Sequence, residues 1–334
     1  MAMFGCENGS FDDTDTPQKE PISFGDIKSR VVSSASDINA FKVWSCVAST
    51  TDGAAQSYLT NEEVSRNGRN WDYTNTRSWI NNKHFYFLGL YADYQGERQN
   101  LAFTEMPYNM SGSDYMVYFL DVQTPATADL DILTAFNYTD TSKDDFSRTV
   151  SMNFVHLMTK VKFKIQQDFD KTPDFDFYVK KVTLTGIKNS AVYGVFPLAA
   201  LSDGIYYIPI WEGLEGSDSF TQTYDTPVRL RNPNSANKVV TLDVWENGLL
   251  LIPQPLNGTA KIQISYYYDI NLEDNDMGEE KSLELELPST DDLWQSGKVI
   301  AYTLKISNST DIKISTPTIE PWGSPQTGGT IIIK

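Results

Sequence analysis

The sequence predicts an all-β protein made of two antiparallel β-sandwich domains with very little helix. Two observations carry this. Period-2 alternation of apolar and polar residues recurs from about residue 22 onward in short stretches bounded by Gly, Pro, Asn, Asp and Ser. No window of 11 or more residues holds an apolar stripe at i, i+3, i+4, i+7, and the stretch Thr76–Ile80 offers one or two helical turns at most. The chain's 334 residues suit about two domains, and a 40% hydrophobic content is enough to bury real cores.

Taken in order, the first 21 residues are polar and acidic around Cys6 and read as a tether. Phe41-Lys42-Val43-Trp44-Ser45-Cys46 alternates as a strand, with Cys46 a small core residue. Val161-Lys162-Phe163-Lys164-Ile165 sets its apolar residues on one face and its lysines on the other. At Gln166–Asp174 the alternation breaks into charge and proline, which places the domain boundary between 167 and 168 and gives domains 22–167 and 168–334. Strands then follow at Val240–Val244, Lys261–Tyr266, Leu283–Leu287, Tyr302–Ile306 and Ile312–Ile314, at spacings typical of antiparallel sandwiches and with no βαβ rhythm.

Composition excludes several functions. Two cysteines and two histidines are too few for a disulfide scaffold or a zinc cluster. No apolar run reaches the length of about 18 residues that a membrane-spanning helix needs. A net charge of −17 repels phosphate backbones and anionic lipid, so nucleic acid is not an expected partner. Phosphate-binding loops, dinucleotide fingerprints and nucleophile elbows are absent, and no cofactor is expected. His84 and His156 sit in strand-like apolar sequence and read as structural histidines. The doublets Asp144-Asp145, Glu279-Glu280 and Asp291-Asp292 read as solvated loop or strand-end residues, and Glu273–Glu280 as a hairpin tip rather than a calcium loop. The tyrosines of Tyr206-Tyr207 and Tyr266-Tyr267-Tyr268 fit cross-strand packing pairs better than a sugar-stacking platform.

Cys6 admits two readings. With Gly5 and small or apolar residues before it and a polar tether after it, it looks like the lipidated cysteine of a bacterial lipoprotein; alternatively it is an incidental cysteine in a tail. Five preceding residues cannot hold the apolar core of about 7–15 residues of a secretion signal, so on the first reading the signal is shortened here.

In its C-terminal third the chain resembles the fimbrillin family of pilus subunits from Gram-negative anaerobes. The resemblance rests on the order of Gly248–Gln254, the strand Ala260–Tyr268, Leu293-Trp294-Gln295-Ser296-Gly297-Lys298 leading into Tyr302–Ile306, Ile312–Ile314, and Ile319-Glu320-Pro321-Trp322. Upstream, Phe154–Val161 resembles the family's strand closing the N-terminal domain, and Trp71–Trp79 followed by Phe85–Tyr91 is similar to its middle. The insertion of Val299-Ile300-Ala301 between Lys298 and Tyr302 departs from its closing motif.

The resemblance implies a two-domain sandwich of transthyretin-like or Greek-key type, acting as a non-enzymatic structural subunit. It would be exported as a lipoprotein with its signal removed and an acyl (palmitate) chain on Cys6, and located at the cell outer membrane and in an extracellular fimbrium that serves adhesion. A trypsin-like cut after Arg30, or after Lys28 nearby, would release the strand carrying Ile22, Phe24 and Ile27, and donor-strand exchange with other fimbrial subunits would fill the vacated groove. The tail Thr327–Lys334 joins a Gly-Gly hinge to Ile331, Ile332 and Ile333, and reads either as the outgoing donor strand or as a last strand folded onto its own domain. Two other functions stay open: a tip adhesin for a host glycan or protein, with aromatics clustered in an exposed groove, and a surface glycan-processing enzyme, with two carboxylates in a cleft.

Overall fold

The structure is a computed structural model and describes residues 17–29, 38–49, 55–110, 113–167, 176–201, 204–231, 240–269, 279–288, 294–306 and 312–322. In chain order its strands are β1 (Pro17–Pro21), β2 (Ser23–Ser29), β3 (Ala40–Ser49), β4 (Ala55–Asn67), β5 (Asn70–Asp72), β6 (Ser78–Ile80), β7 (Lys83–Tyr94), β8 (Glu97–Arg98), β9 (Thr104–Met110), β10 (Ser113–Gln123), β11 (Leu130–Asp140) and β12 (Thr149–His156). They continue with β13 (Thr159–Gln167), β14 (Asp176–Ile187), β15 (Ser190–Leu201), β16 (Gly204–Glu215), β17 (Asp218–Arg229), β18 (Thr241–Asp243), β19 (Leu249–Leu251), β20 (Lys261–Asp269), β21 (Glu280–Glu286), β22 (Lys298–Ile306), β23 (Ile312–Ile314) and β24 (Thr318–Pro321). The described residues contain no helix, so the all-β expectation holds. The helical turn or two allowed at Thr76–Ile80 is not formed: Ser78–Ile80 is β6, which pairs with β1 and sets the fully buried Trp79 into the core.

Three hydrophobic clusters organise these strands. The largest sheet runs β2-β12-β11-β7-β3-β4-β5, with β8 on β7. Its central strand β3 is buried on both faces, because odd and even positions serve different cores. Phe41 and Val43 join Phe85, Phe87, Met152 and Phe154 on one face. Trp44 and Cys46 join Leu88, Leu90 and Ile132 on the other, against Tyr118, Leu120, Tyr193 and Val195 of the sheet β16-β15-β10-β9. The third cluster fills a sandwich between the sheet around β13 and β22 and the sheet β17-β14-β20-β21.

The sheets cross the expected boundary between 167 and 168 in both directions. β13 pairs with β22, and the β15–β16 hairpin returns to pair with β10. The break in alternation at 166–174 marks a connection within the third cluster, since β13 and β14 supply its two facing sheets. Not every pairing is antiparallel: β2 joins β12 in parallel and β13 joins β22 in parallel. Both join strands far apart in sequence, which no hairpin constrains.

Several of the residues that carry the family resemblance meet in this third core. Gln254 and Trp294 form an isolated bridge, Trp294 donates its indole N–H to the Tyr302 hydroxyl at 3.0 Å, and the Tyr302 ring stacks on Phe163 at 5.0 Å. Burial pushes the Tyr302 hydroxyl pKa up to about 12, so it stays a protonated partner of that network. These are packing residues, and their order reports a fold.

Candidate functional site: the N-terminal strand and its groove

β2 is the last strand at one edge of the largest sheet. It pairs in parallel with β12, Phe24 beside Val150 and Ser29 beside Phe154. Simple alternation from Ile22 and Phe24 would turn Asp26 inward and Ile27 outward. The ladder avoids this with a bulge: β2 advances three residues, Gly25 to Lys28, while β12 advances two, Ser151 to Asn153. The extra residue returns Ile27 to the core face, where it is partly buried against the same cluster as the buried Ile22 and Phe24. The three apolar residues expected to belong to the exchangeable strand therefore line up on one core.

Phe24 is the anchor. Its ring makes edge contacts with Phe41 at 6.0 Å, Tyr73 at 5.5 Å and Phe87 at 6.1 Å. Ile22 is held by its backbone, its N–H donating to the Arg77 carbonyl at 2.8 Å and its carbonyl accepting from the Tyr73 hydroxyl at 3.1 Å. Burial raises the Tyr73 hydroxyl pKa, which keeps that donor protonated. Tyr73 lies just beyond β5, at the opposite end of the sheet from β2, so the sheet curls round its core and this contact closes it. The Ser23 hydroxyl donates to the Arg148 carbonyl at 3.2 Å, and the exposed pair Glu20–Arg148 adds a surface contact of small worth. Gly25 passes so close to β12 that a Cβ there would lie 2.7 Å from Thr149 Cγ2.

A groove is thus defined by what β2 covers: Phe41, Phe87, Val150 and Phe154 beneath, Tyr73 and Arg77 at one end. Burying Ile22 and Phe24 there is worth about 1.5–3 kcal/mol each by transfer alone. Of the two basic residues expected as processing sites, Lys28 lies within the ladder opposite Asn153, its backbone committed to the strand. Arg30 follows one residue after β2 and lies outside the described residues, as do Cys6, Ile331, Ile332 and Ile333.

The histidines occupy structural positions. His156 is buried, 2.8 Å through Nδ1 from Asp131 Oδ1, with its ring stacked on Trp322 at 3.6 Å. His84 Nδ1 lies 2.6 Å from the Tyr138 hydroxyl, and burial lowers its pKa. Of the tyrosine run, Tyr266 stacks on Phe177 in the core at 4.3 Å, and Tyr268 packs at the edge of the same cluster. The side chains of Tyr206 and Tyr207, Asp291-Asp292 and most of the 273–280 hairpin tip lie outside the described residues. Among the described residues no group of three His, Cys, Asp or Glu side chains is placed to hold a metal ion.

The fimbrillin-like family matches residues 29–322, which is most of the chain. The chain belongs to the fimbrillin-like family. A fimbrial protein from Bacteroides vulgatus has a similar structure, with a TM-score of 0.57 at 18% identity over 91% of this chain and 100% of its own. A cell adhesion protein from Bacteroides ovatus aligns with a TM-score of 0.41 at 16% identity, over 94% of this chain and 100% of that one. A fimbrial assembly protein from Parabacteroides distasonis aligns with a TM-score of 0.36 at 12% identity, over 90% of this chain and 96% of that one. No curated protein matches the chain. The matched family begins at residue 29, so β2 precedes nearly all of it. Membership of this family supports a fimbrial role at the cell surface.

Proposed function

We propose that this fimbrillin-like protein is a structural subunit of a surface fimbria, assembled by exchange of β2 for a strand of the next subunit. One observation carries the reading: β2 is an edge strand whose side chains complete a core made otherwise by strands that follow Arg30. A cut after Arg30 would convert a covalently attached strand into a dissociable one. The emptied groove would offer a strand edge and an apolar floor, the two features that β-strand addition uses for affinity and register. The tail Thr327–Lys334 has the composition of the incoming strand, three consecutive isoleucines after a Gly-Gly hinge. Acylation of Cys6 would tether the uncut precursor to the outer membrane and be lost with the released segment. Nothing in this scheme needs a catalytic residue of the chain itself.

Limited trypsin digestion, followed by mass spectrometry and electron microscopy, tests the proposal. The expected result is a first cut after Arg30 and then a ladder of polymers or filaments. A protein that is cut there, loses β2 and stays monomeric overturns it.

A further inference from the structure

The outer face of the sheet built on β13 and β22 reverses the charge of the rest of the chain. Val161, Phe163 and Ile165 of β13 point into the third core, so Lys160, Lys162 and Lys164 stand on the opposite face. The parallel register puts Ala301 beside Lys162, Thr303 beside Lys164 and Lys305 beside Gln166, and Lys305 lies directly opposite Lys313 of β23. The described acids around these lysines are Asp243, beside Lys164, Glu320, beside Val299, and Asp131, whose charge acts on Lys160. Five lysines thus meet three described acids in a chain with 27 basic and 44 acidic residues.

This arrangement is unfavourable for the isolated protein. Lys305 and Lys313 stand directly opposite across the ladder. Burial, and next the charge of Lys162, hold the Lys160 ammonium below its usual pKa against the opposing pull of Asp131, and the Trp322 ring centroid lies 5.3 Å from its Nζ. Asp243 neutralises Lys164 only across 3.8 Å in an exposed pair. Among the described residues Lys162 and Lys305 have no ion-pair partner.

We propose that this lysine face binds an extended acidic polysaccharide laid along β13. Lysines two apart on a strand repeat every 6–7 Å or so, a line of charge suited to a linear polyanion. Ala301, Thr303 and Gln166 lie among them, while Leu250, Val299 and Trp322 flank the Lys160 end. A protein partner would call for the aromatic and Met anchors of an interface core, where Lys is depleted. A membrane would call for apolar side chains to insert, and the exposed large ones, Met106, Tyr108 and Ile319, lie elsewhere: β9 carries the first two, and Ile319 pairs with the inward Ile300. The net charge of −17 opposes a phosphate backbone with a charge about every 1.7 Å more strongly than a sugar chain with one acid group per residue. The partner's accessibility rests on the surface location of the proposed function; the binding itself requires neither cleavage nor polymerisation.

The test uses the intact, uncut chain and fluorescein-labelled polygalacturonate, with dextran sulfate as the sulfated counterpart and neutral dextran as control. Saturable binding is expected, weakening about 50-fold between about 50 and 200 mM salt if about four contacts each release a counterion at the single-strand slope. K162E/K305E is expected to weaken binding about tenfold or more with unchanged thermal unfolding, while K162R/K305R retains it. K181E, on the outer face of the other sheet of the sandwich, is expected to leave binding unchanged. Preference for carboxylate or for sulfate identifies the class of acid. Equal binding of neutral dextran, wild-type binding by K162E/K305E, tighter binding of duplex DNA, or salt-sensitive self-association in place of polymer binding each overturns the proposal.

Discussion

β2 and β24 each add a short strand to the edge of a large sheet, yet they contribute to the fold in opposite ways. β2 and the residue just before it insert Phe24 and Ile22 into a core that lacks them otherwise. β24 pairs with β22 from Thr318 to Pro321, but all four of its residues are exposed, Ile319 at 51%. What holds the C-terminal edge is the residue after the strand, Trp322, whose N–H donates to the Gly297 carbonyl at 2.8 Å and whose ring lies on His156. Backbone ladders of similar length therefore do not imply similar energies. An edge strand that plugs a core leaves a groove when it departs, and one held by its ladder and a terminal ring leaves mainly an open edge.

The widest separation between the two edges is expected from truncation. Phe24→Ala removes an anchor with three ring partners and is expected to cost about 3–5 kcal/mol, whereas Ile319→Ala is expected to stay within about 0.5 kcal/mol. Urea unfolding of both variants checks this; equal losses would erase the distinction. Next in size, Gly25→Ala is expected to cost about 1–2 kcal/mol by forcing a Cβ against Thr149 Cγ2. Thr149→Ser removes that methyl, so the double variant is expected to recover most of the loss, and a strictly additive double-mutant cycle would show that the crowding lies elsewhere.

At the other edge, Trp322→Ala removes the stack on His156 and the contact with Lys160 Nζ, 5.3 Å from the ring centroid. A loss of about 1 kcal/mol is expected, with faster amide exchange confined to β24 and its neighbours on β22. Exchange that accelerates equally at β2 would mean the two edges are coupled.

The smallest effect concerns pH. Burial lowers the pKa of His84 below its usual 6.5, so the unfolded chain takes up the proton first, and this residue's contribution to stability is lost as pH falls through 6.5. His84 belongs to β7, in the same sheet as β2, so mild acid is expected to loosen the N-terminal edge rather than the C-terminal one. His84→Gln should flatten that part of the stability–pH curve; an unchanged slope would assign it to other groups.

Much of this architecture was legible in the sequence, and particular residues show where legibility stopped. Val161–Ile165 and Leu283–Leu287 read as strands because one face of each is buried, so polarity follows the period of the pleat. β3 reads as a strand too, but its membership of two cores is hidden, since Lys42 interrupts the apolar run; the lysine is 8% exposed, with Nζ donating to Asn100 Oδ1 at 2.6 Å. The parallel partners of β2 and β13 were invisible because no local turn encodes pairings across more than a hundred residues. At the candidate site, Ile22 and Phe24 follow alternation, and Ile27 joins them only through a bulge that depends on β12. Tyr73 and Arg77, which close the groove, carried no signal beyond their neighbourhood to Trp71 and Trp79.

On the proposed assembly mechanism the groove under β2 accepts a strand in trans. Protein cut after Arg30 and freed of residues 1–30 can be mixed with a synthetic peptide of residues 323–334, or with the same peptide carrying Asp at 331, 332 and 333, and its thermal unfolding followed. The isoleucine peptide is expected to raise the melting temperature in a concentration-dependent way and the aspartate peptide to leave it unchanged. No shift with either peptide, or the same shift with both, would contradict it.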